Sequence, residues 1–192
     1  MNKELRTEEG ANEKLNLRKE IFSWLETILI SVIAVALIIT FVARMMRIDG
    51  ISMEPTLYDQ ERVITLTPYG GFKHNDIVVI RRKGKSVLVK RVVALAGDTV
   101  DIDYDHNRLI VNGEPVEEPF TKEAMQEVPS IRLPAVVPEG CVFVLGDNRN
   151  HSSDSRDPDN GMIDERNIFG KVVFRVWPLS RWGKVDAEDY TY

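Results

Sequence analysis

An uncharged apolar stretch near the N-terminus constrains the fold of this chain more than any other feature. Residues 27–43 read TILISVIAVALIITFVA, contain no Gly or Pro, and have a charged residue on either side. A helix of about 20 apolar residues crosses the hydrocarbon core of a bilayer, and Trp24 and Leu25 continue the stretch into the interface. All faces of such a helix are apolar, and a domain of this size rarely surrounds a helix completely. The stretch predicts one transmembrane helix over residues 22–43.

Two alternatives to a permanent span are a buried core helix and a cleaved secretory signal. The stretch begins later than the core of a typical signal, is longer, and precedes RMMR at residues 44–47 instead of a small-residue cleavage site. Residues 1–21 contain five basic residues, and residues 44–47 contain two. Because basic residues favour the cytoplasmic side, this bias predicts a single pass with a polar cytoplasmic tail over residues 1–21, disordered or loosely helical.

The residues after the stretch follow a β-strand pattern with no sustained helical period. Short β-branched runs separated by turn residues lie at 63–67, 76–80, 86–96, 100–104, 108–111, 141–145 and 171–176. The predicted fold class is therefore mostly β, with one N-terminal transmembrane helix followed by an all-β domain of largely antiparallel sheets. This domain would occupy residues 44–192 and include a short inserted β-hairpin region at 99–136.

Charge and the placement of metal-ligating side chains argue against several classes of function. The net charge of -5 disfavours a protein that binds nucleic acid by neutralising phosphates. The three histidines lack the spacing of metal ligands. The run DIDYDHN at 101–107 imitates the start of a calcium loop, but His106 stands where glycine is needed. We therefore expect no metal, no cofactor and no nucleic-acid partner.

Two side chains in the β domain could form a hydrolytic site. Ser52 lies in GISMEPTL at residues 50–57, which is compatible with a simple turn or with a nucleophile. A serine needs a nearby base, and lysine can be that base only if its pKa falls well below about 10.4. Lys90 and Arg91 lie in VLVKRVV at residues 87–93, where alternation forces one charge inward on either face. Lys90 is then either a snorkelling edge residue or a desolvated general base, and spacing alone leaves both open.

Several sequence boxes occur together behind the apolar stretch. They read SMEPTL at 52–57, DIVV at 76–79, KRVVALAGD at 90–98, VPEGCVFVLGDNR at 137–149 and SSDSR at 152–156. In this order they resemble the boxes of bacterial type I signal peptidases, and the likeness covers about residues 24–178. With one span and a short segment between the box that contains Lys90 and the box at 137–149, the chain is similar to the compact, single-pass branch of that family.

The resemblance implies a signal peptidase/LexA-like β fold and a membrane-anchored serine endopeptidase. Such an enzyme cleaves N-terminal signal peptides from secretory preproteins after small residues, in an Ala-x-Ala pattern. By likeness, Ser52 is the nucleophile, neutral Lys90 is the general base, and Ser152 orients the Lys90 amine. The implied partners are preproteins and the lipid bilayer. The implied location is the plasma membrane of a bacterium, with the catalytic domain outside the cytoplasm.

The resemblance also assigns supporting positions. The backbone N–H of Ser52 would bind the oxyanion, while Gly50 stands where some members carry a second hydroxyl donor, so another donor would come from backbone or water. Structural support is expected from Asp147, Asp154 and Arg156, including an Asp–Arg pair beneath the site. The matching substrate-binding positions, which would accept small residues, are Ile48, Met53, Leu57, Val79, Leu88 and Val89.

Two other hypotheses compete with a signal-cleaving enzyme. A self-cleaving repressor-type protease would share the Ser–Lys chemistry, but it should carry a DNA-binding helix-turn-helix and no span. A catalytically inactive, membrane-anchored module could bind signal sequences without cutting them. The presence of both Ser52 and Lys90 argues against the inactive module, because loss of either residue would be the simplest sign of inactivity.

Overall fold

The structure is a computed structural model that describes residues 2–41, 43–126 and 130–185. It divides into two compact units, Met1–Val42 and Ala43–Tyr192, and each is considered by itself.

The first unit is a single helix, α1, over Asn2–Phe41. Within it, Arg18–Leu37 is long and apolar enough to cross a membrane, with a mean hydropathy of 1.9 and none of the segment buried. The lack of burial argues against the core-helix alternative, since a core helix has its apolar side chains covered. The helix also extends back through the predicted tail, and Ala43, the last residue of the predicted span, begins a strand instead.

The second unit is built from short strands. In its described residues these are β1 (Ala43–Arg47), β2 (Arg62–Leu66), β3 (Ile77–Ile80), β4 (Leu88–Ala94), β5 (Thr99–Asp103), β6 (Arg108–Val111), β7 (Glu114–Val116), β8 (Ala135–Val136), β9 (Cys141–Leu145), β10 (Ile163–Asp164), β11 (Ile168–Trp177) and β12 (Gly183–Lys184). Single 3-10 turns occupy Arg149–His151, Glu165–Asn167 and Leu179–Arg181. Each of the seven predicted runs overlaps one of these strands, which confirms the mostly β prediction.

Two antiparallel sheets organise these strands. The larger has the order β1-β2-β11-β3-β4-β9-β10, with β12 paired to β11, and the smaller has the order β7-β6-β5-β8. All pairings are antiparallel. The smaller sheet falls in the region predicted to hold an inserted hairpin. Strand β4 lies inside the larger sheet, between β3 and β9, so its backbone is paired on both edges.

Apolar residues from both sheets form three buried clusters. One lies between the smaller sheet and β9, and a second includes Val78 and Ile80 of β3 together with Val92 of β4. The third connects the turn that precedes β2 to strand β3 and contains Ile48, Met53, Leu57, Val63, Ile77, Val79, Val172 and Val185. Because β4 contributes to clusters on both of its faces, its charged residues have no solvent-facing side available to them.

Candidate active site

Ser52 and Lys90 come together in the structure, although 38 positions separate them along the chain. The distance between Lys90 Nζ and Ser52 Oγ is 2.6 Å, which is hydrogen-bond distance. Lys90 Nζ also donates a hydrogen bond of 2.9 Å to the carbonyl oxygen of Val89. A neutral amine at this position can accept the proton of the serine hydroxyl, so the geometry suits a nucleophile and its base.

Burial explains how Lys90 could be neutral near physiological pH. Its side chain is only 1% exposed, on an inner strand, which rules out the snorkelling edge residue. Desolvation lowers the pKa of Lys90 to about 8, the negative charges of Asp154 and Asp147 raise it, and the positive charge of Arg82 lowers it further. The effect of desolvation is the largest of these. The amine is therefore much closer to neutrality than an exposed lysine with a pKa of 10.5.

A tight turn between β1 and β2 holds Ser52. Met53 and Leu57, which follow Ser52 in the turn, are 1% and 0% exposed. The Leu57 N–H donates a hydrogen bond of 2.8 Å to the Met53 carbonyl oxygen. Gly50 has a φ of +96°, in the left-handed region that glycine favours. The Gly50 N–H donates to Asp59 Oδ1 at 2.8 Å and is thereby engaged within the turn.

Gly146 lies where the serine turn meets the loop after β9. A Cβ added at Gly146 would collide with the Ser152 side chain and would lie 2.6 Å from the Ser52 carbonyl oxygen. Glycine is required here because any side chain would push the two serines apart. Ser152 Oγ is buried, and a hydrogen bond from Ser152 is among the contacts that lower the pKa of Asp154. The Lys90 amine bonds to Ser52 and Val89 instead, so the predicted bond from Ser152 to Lys90 is not formed in this structure.

A buried ion pair joins strand β4, which carries Lys90, to the loop after β9. Arg91 donates to both carboxylate oxygens of Asp147, at 2.8 and 2.7 Å, and the two side chains are 1% and 0% exposed. Thr56, four residues after Ser52, donates to Asp147 at 2.5 Å. The guanidinium of Arg91 also stacks on the ring of Phe120 at 3.8 Å. This network connects the serine turn, the lysine strand and the loop after β9.

A second Asp–Arg pair supports that loop. Arg156 donates to both oxygens of Asp154 at 2.9 Å, and the Gly146 N–H donates to Asp154 at 3.0 Å. Burial raises the pKa of Asp154, but these hydrogen bonds and the positive charge of Arg156 have the larger combined effect. The pKa of the Asp154 carboxyl therefore lies below its usual value. The expected Asp–Arg support is thus formed twice, and Arg91, the partner of Asp147, was absent from the predicted set.

The predicted substrate-binding residues divide between two clusters. Ile48, Met53, Leu57 and Val79 are buried together, and Val89 packs against them while remaining partly exposed. Leu88 packs instead with the cluster that contains Val78 and Val92. The structure therefore gathers five of the six residues in the cluster that contains Met53 and places Leu88 in the other.

Sequence analysis missed other residues that shape the site. Arg149, 2% exposed, donates two hydrogen bonds to Glu118, at 2.7 and 2.5 Å, and a third to the Gly146 carbonyl at 3.0 Å. Asn148 bonds to the backbone on both sides of the nucleophile. Arg149 and Asn148 belong to the sequence box at 137–149, and this could have marked them as site residues. No motif marks Glu118. Among the described residues, no group of three or more His, Cys, Asp or Glu side chains could hold a metal ion.

The antiparallel β domain and the buried amine facing a serine hydroxyl have the form of a serine hydrolase that uses lysine as its base. Comparison with known proteins narrows this class. A family model described as "Signal peptidase, peptidase S26" matches residues 21–177. The chain belongs to this signal peptidase family, and the resemblance found in the sequence boxes is confirmed.

Two relatives matched by sequence agree with that membership. The chain is 38% identical over 191 residues to signal peptidase I of Bacillus licheniformis, covering 94% of this chain and 100% of the relative. It is 34% identical over 184 residues to signal peptidase IB of Staphylococcus aureus (strain COL), covering 86% and 94%. A crystal structure of a signal peptidase I from Enterococcus faecalis V583 aligns at 27% identity with a TM-score of 0.46, covering 54% of this chain and 98% of that one.

Proposed function

We propose that this chain is a signal peptidase that removes N-terminal signal peptides from secretory preproteins. The observation that carries the proposal is the 2.6 Å contact between Ser52 Oγ and the buried Lys90 amine. Support comes from family membership and from relatives named signal peptidase I that match along nearly their whole length. An inactive signal-binding module would have no need for a nucleophile and a desolvated base held in contact.

The proposed reaction has two steps that share one base. Neutral Lys90 accepts the proton of Ser52 as its Oγ attacks the scissile carbonyl, and the Ser52 N–H stabilises the resulting oxyanion. The Lys90 ammonium then donates this proton to the leaving amine, which departs as the new N-terminus and leaves an acyl ester on Ser52. Lys90, neutral again, removes a proton from water, whose oxygen attacks the ester. The Lys90 ammonium returns this proton to Ser52 Oγ as the ester bond breaks, and the signal peptide leaves with a C-terminal carboxyl group that ionises in water.

Ser152 is the proposed orienting residue in this cycle. Its buried hydroxyl lies across Gly146 from the Ser52 backbone and is close enough to Asp154 to lower the pKa of that carboxyl. When Ser52 Oγ is acylated, the neutral Lys90 amine loses its hydrogen bond to the Ser52 hydroxyl and needs another partner. The Ser152 oxygen can accept that bond and keep the amine near the ester.

Substrate selection is assigned to the apolar residues that pack in one cluster with Met53, the neighbour of Ser52. Ile48, Met53, Leu57 and Val79 are at most 2% exposed, so a substrate side chain lying over this floor would find little free space beneath it, which favours small residues. Val89 is partly exposed on β4. An extended preprotein segment that adds alongside the site as a strand would present alternate residues to this floor, which fits the Ala-x-Ala pattern.

Helix α1 is the proposed membrane anchor. Its Arg18–Leu37 segment meets the length and hydropathy of a span. We infer a single pass, with the N-terminus in the cytoplasm because of the basic residues that precede the span, and the β domain on the outer side of the plasma membrane. Anchoring confines the enzyme to the bilayer in which its substrates are inserted and reduces the search for the cleavage site to two dimensions.

A cleavage assay tests the proposed function. The full chain in detergent micelles or vesicles is incubated with a precursor whose signal ends in Ala-x-Ala, and the products are measured by mass spectrometry. We expect one cut after the second alanine, and no cut in a matched precursor with leucine at that position. Binding of the precursor without any product would contradict the proposal and identify the inactive module.

Cleavage should depend on pH through Lys90. Because the neutral amine is the active form and its pKa is lowered by burial to about 8, kcat/KM should rise about tenfold per pH unit below 8 and level off above about 9. Initial rates measured between about pH 6 and 10, with circular dichroism at each pH to exclude unfolding, check this. A profile independent of pH would show that Lys90 is not the base.

A further inference from the structure

Asn148 touches the polypeptide backbone on both sides of the nucleophile. It is 0% exposed and follows Asp147 in the loop after β9. Its backbone N–H donates to the Ser52 carbonyl at 3.1 Å, and its side-chain Nδ2 donates to the Ile51 carbonyl at 3.1 Å. One residue therefore holds the two peptide planes that meet at the Ser52 Cα.

The bond to Ile51 has a consequence for the Ser52 N–H. A peptide unit is planar, and in the trans form its C=O and N–H point in opposite directions. The bond between Ile51 and Ser52 is trans, since the cis bonds found among the described residues all precede prolines. Holding the Ile51 oxygen therefore also fixes the direction of the Ser52 N–H. A second donor, the Glu54 N–H at 3.2 Å, bonds to the same oxygen.

We propose that Asn148 is a positioning residue that aims the Ser52 N–H at the developing oxyanion. The inference rests on the proposed function, in which this N–H is the oxyanion donor. A donor contributes to catalysis only if it already points to where the charge will form, so fixing its direction lowers the barrier without changing substrate binding. The bond to the carbonyl also polarises the peptide unit and makes its N–H a stronger donor.

The chemistry of the Asn148 side chain supports a role beyond packing. Its Oδ1 is buried and has no hydrogen-bond partner among the described residues. Burying an unpaired acceptor is unfavourable, and an apolar side chain of similar size would avoid that cost. At this position the Nδ2 group of the amide makes a hydrogen bond, whereas its oxygen makes none. The bond from Nδ2 to Ile51 therefore accounts for an amide here better than packing does.

The loop that holds Asn148 is itself well fixed. The neighbouring Arg149 binds Glu118 through two hydrogen bonds and the Gly146 carbonyl through a third. The Asn148 carbonyl accepts a bond of 3.1 Å from the His151 N–H. Since these contacts do not involve the Asn148 side chain, they should keep the loop in place when that side chain is altered.

Two substitutions test the proposal in the full-length protein. Asn148→Ala removes the side-chain donor and keeps the main-chain bond to Ser52. Asn148→Asp places a carboxylate oxygen against the Ile51 carbonyl, which would turn the peptide plane away. We expect kcat on the precursor to fall about 10- to 100-fold in the alanine variant and further in the aspartate variant, with KM within about twofold. Asn150→Ala is the matched control, because among the described residues that side chain bonds to the backbone of residues 124 and 126 and not to the serine turn.

A transition-state analogue separates positioning from a structural role. The affinity of a peptide aldehyde, which forms a tetrahedral adduct with Ser52, should fall in parallel with kcat/KM, while that of an uncleavable peptide stays unchanged. All variants are assayed well below their unfolding temperatures, and Asn148→Ser replaces any variant that fails to fold. Unchanged kcat, or a change confined to KM, would overturn the proposal. Lack of cleavage by the unaltered chain would refute the proposed function instead.

Discussion

Replacing Ser52 by alanine or Lys90 by methionine will lower precursor cleavage by at least about 10⁴-fold. Ser52→Ala removes the oxygen that forms the acyl bond. Lys90→Met removes the amine 2.6 Å from that oxygen and keeps a side chain of similar length inside the sheet. Because nucleophile and base act as one unit, the double variant should be scarcely slower than either single one. Single-turnover cleavage measured with enzyme in excess detects such low rates.

The stability of the same variants distinguishes lost chemistry from lost structure. Lys90 has a pKa of about 8 in the folded chain against 10.5 for an exposed lysine, so burial of its charge opposes folding at neutral pH. Lys90→Met should therefore keep or raise the unfolding temperature at pH 7 while abolishing activity. Ser153→Ala and Lys85→Met are controls, because both side chains bond only within exposed loops. Near-normal turnover in a folded Ser52→Ala or Lys90→Met variant would refute the dyad.

Strand β4 shows what alternation in a sequence can and cannot reveal. The pattern predicted that one charge, Lys90 or Arg91, must face inward. In the structure both are 1% exposed, because β4 is an inner strand with a buried cluster on each face. Alternation depends on local spacing alone, whereas coverage of the second face is a property of the assembled sheet. The snorkelling alternative could be excluded only once the neighbours of β4 were known.

The strands that sequence analysis missed have a common physical cause. Strand β1, with the sequence ARMMR, lacks β-branched residues and was taken only as the end of the span. It forms because β2 supplies a complete antiparallel partner, with Met45 opposite Ile64. Strands β8, β10 and β12 are two residues long and leave no periodic signal. Tertiary pairing, not intrinsic propensity, determines these elements.

The candidate site was predictable where its residues belong to boxes and not where they act through distant partners. Ser52 and Lys90 were found through the likeness of their boxes, and the structure brings them together. The Arg91 partner of Asp147 and the Glu118 partner of Arg149 are long-range pairs, separated by 56 and 31 positions. Nothing in a single sequence states which buried charge meets which. Ser152 was assigned to Lys90 by resemblance, and its role remains a prediction.

Removing the carboxylate of Asp147 will destabilise the β domain by about 3–5 kcal/mol. Asp147→Ala leaves the Arg91 guanidinium buried without its counter-ion and takes an acceptor from Thr56. The loss in the free energy of unfolding should therefore be far larger than the net contribution of the ion pair. Both side chains lose their hydration on folding, and in the variant Arg91 stays buried without the attraction of Asp147. The double variant Arg91→Met with Asp147→Leu, which buries no charge, should recover much of the loss. Urea unfolding followed by circular dichroism measures these differences.

An exposed pair in the same domain is the matched control. Arg166 and Asp164 are in contact, but their side chains are 89% and 31% exposed, so solvent screens the pair and Arg166→Ala should destabilise the domain far less than Asp147→Ala. If Asp147→Ala were no more destabilising than this control, the buried network would not hold the domain together. If the double variant were as unstable as the single one, packing and not an unpaired charge would be the cause. The expected order ties the loop after β9 to strand β4 through electrostatics, because Arg91 adjoins Lys90 and its ion-pair partner, Asp147, belongs to that loop.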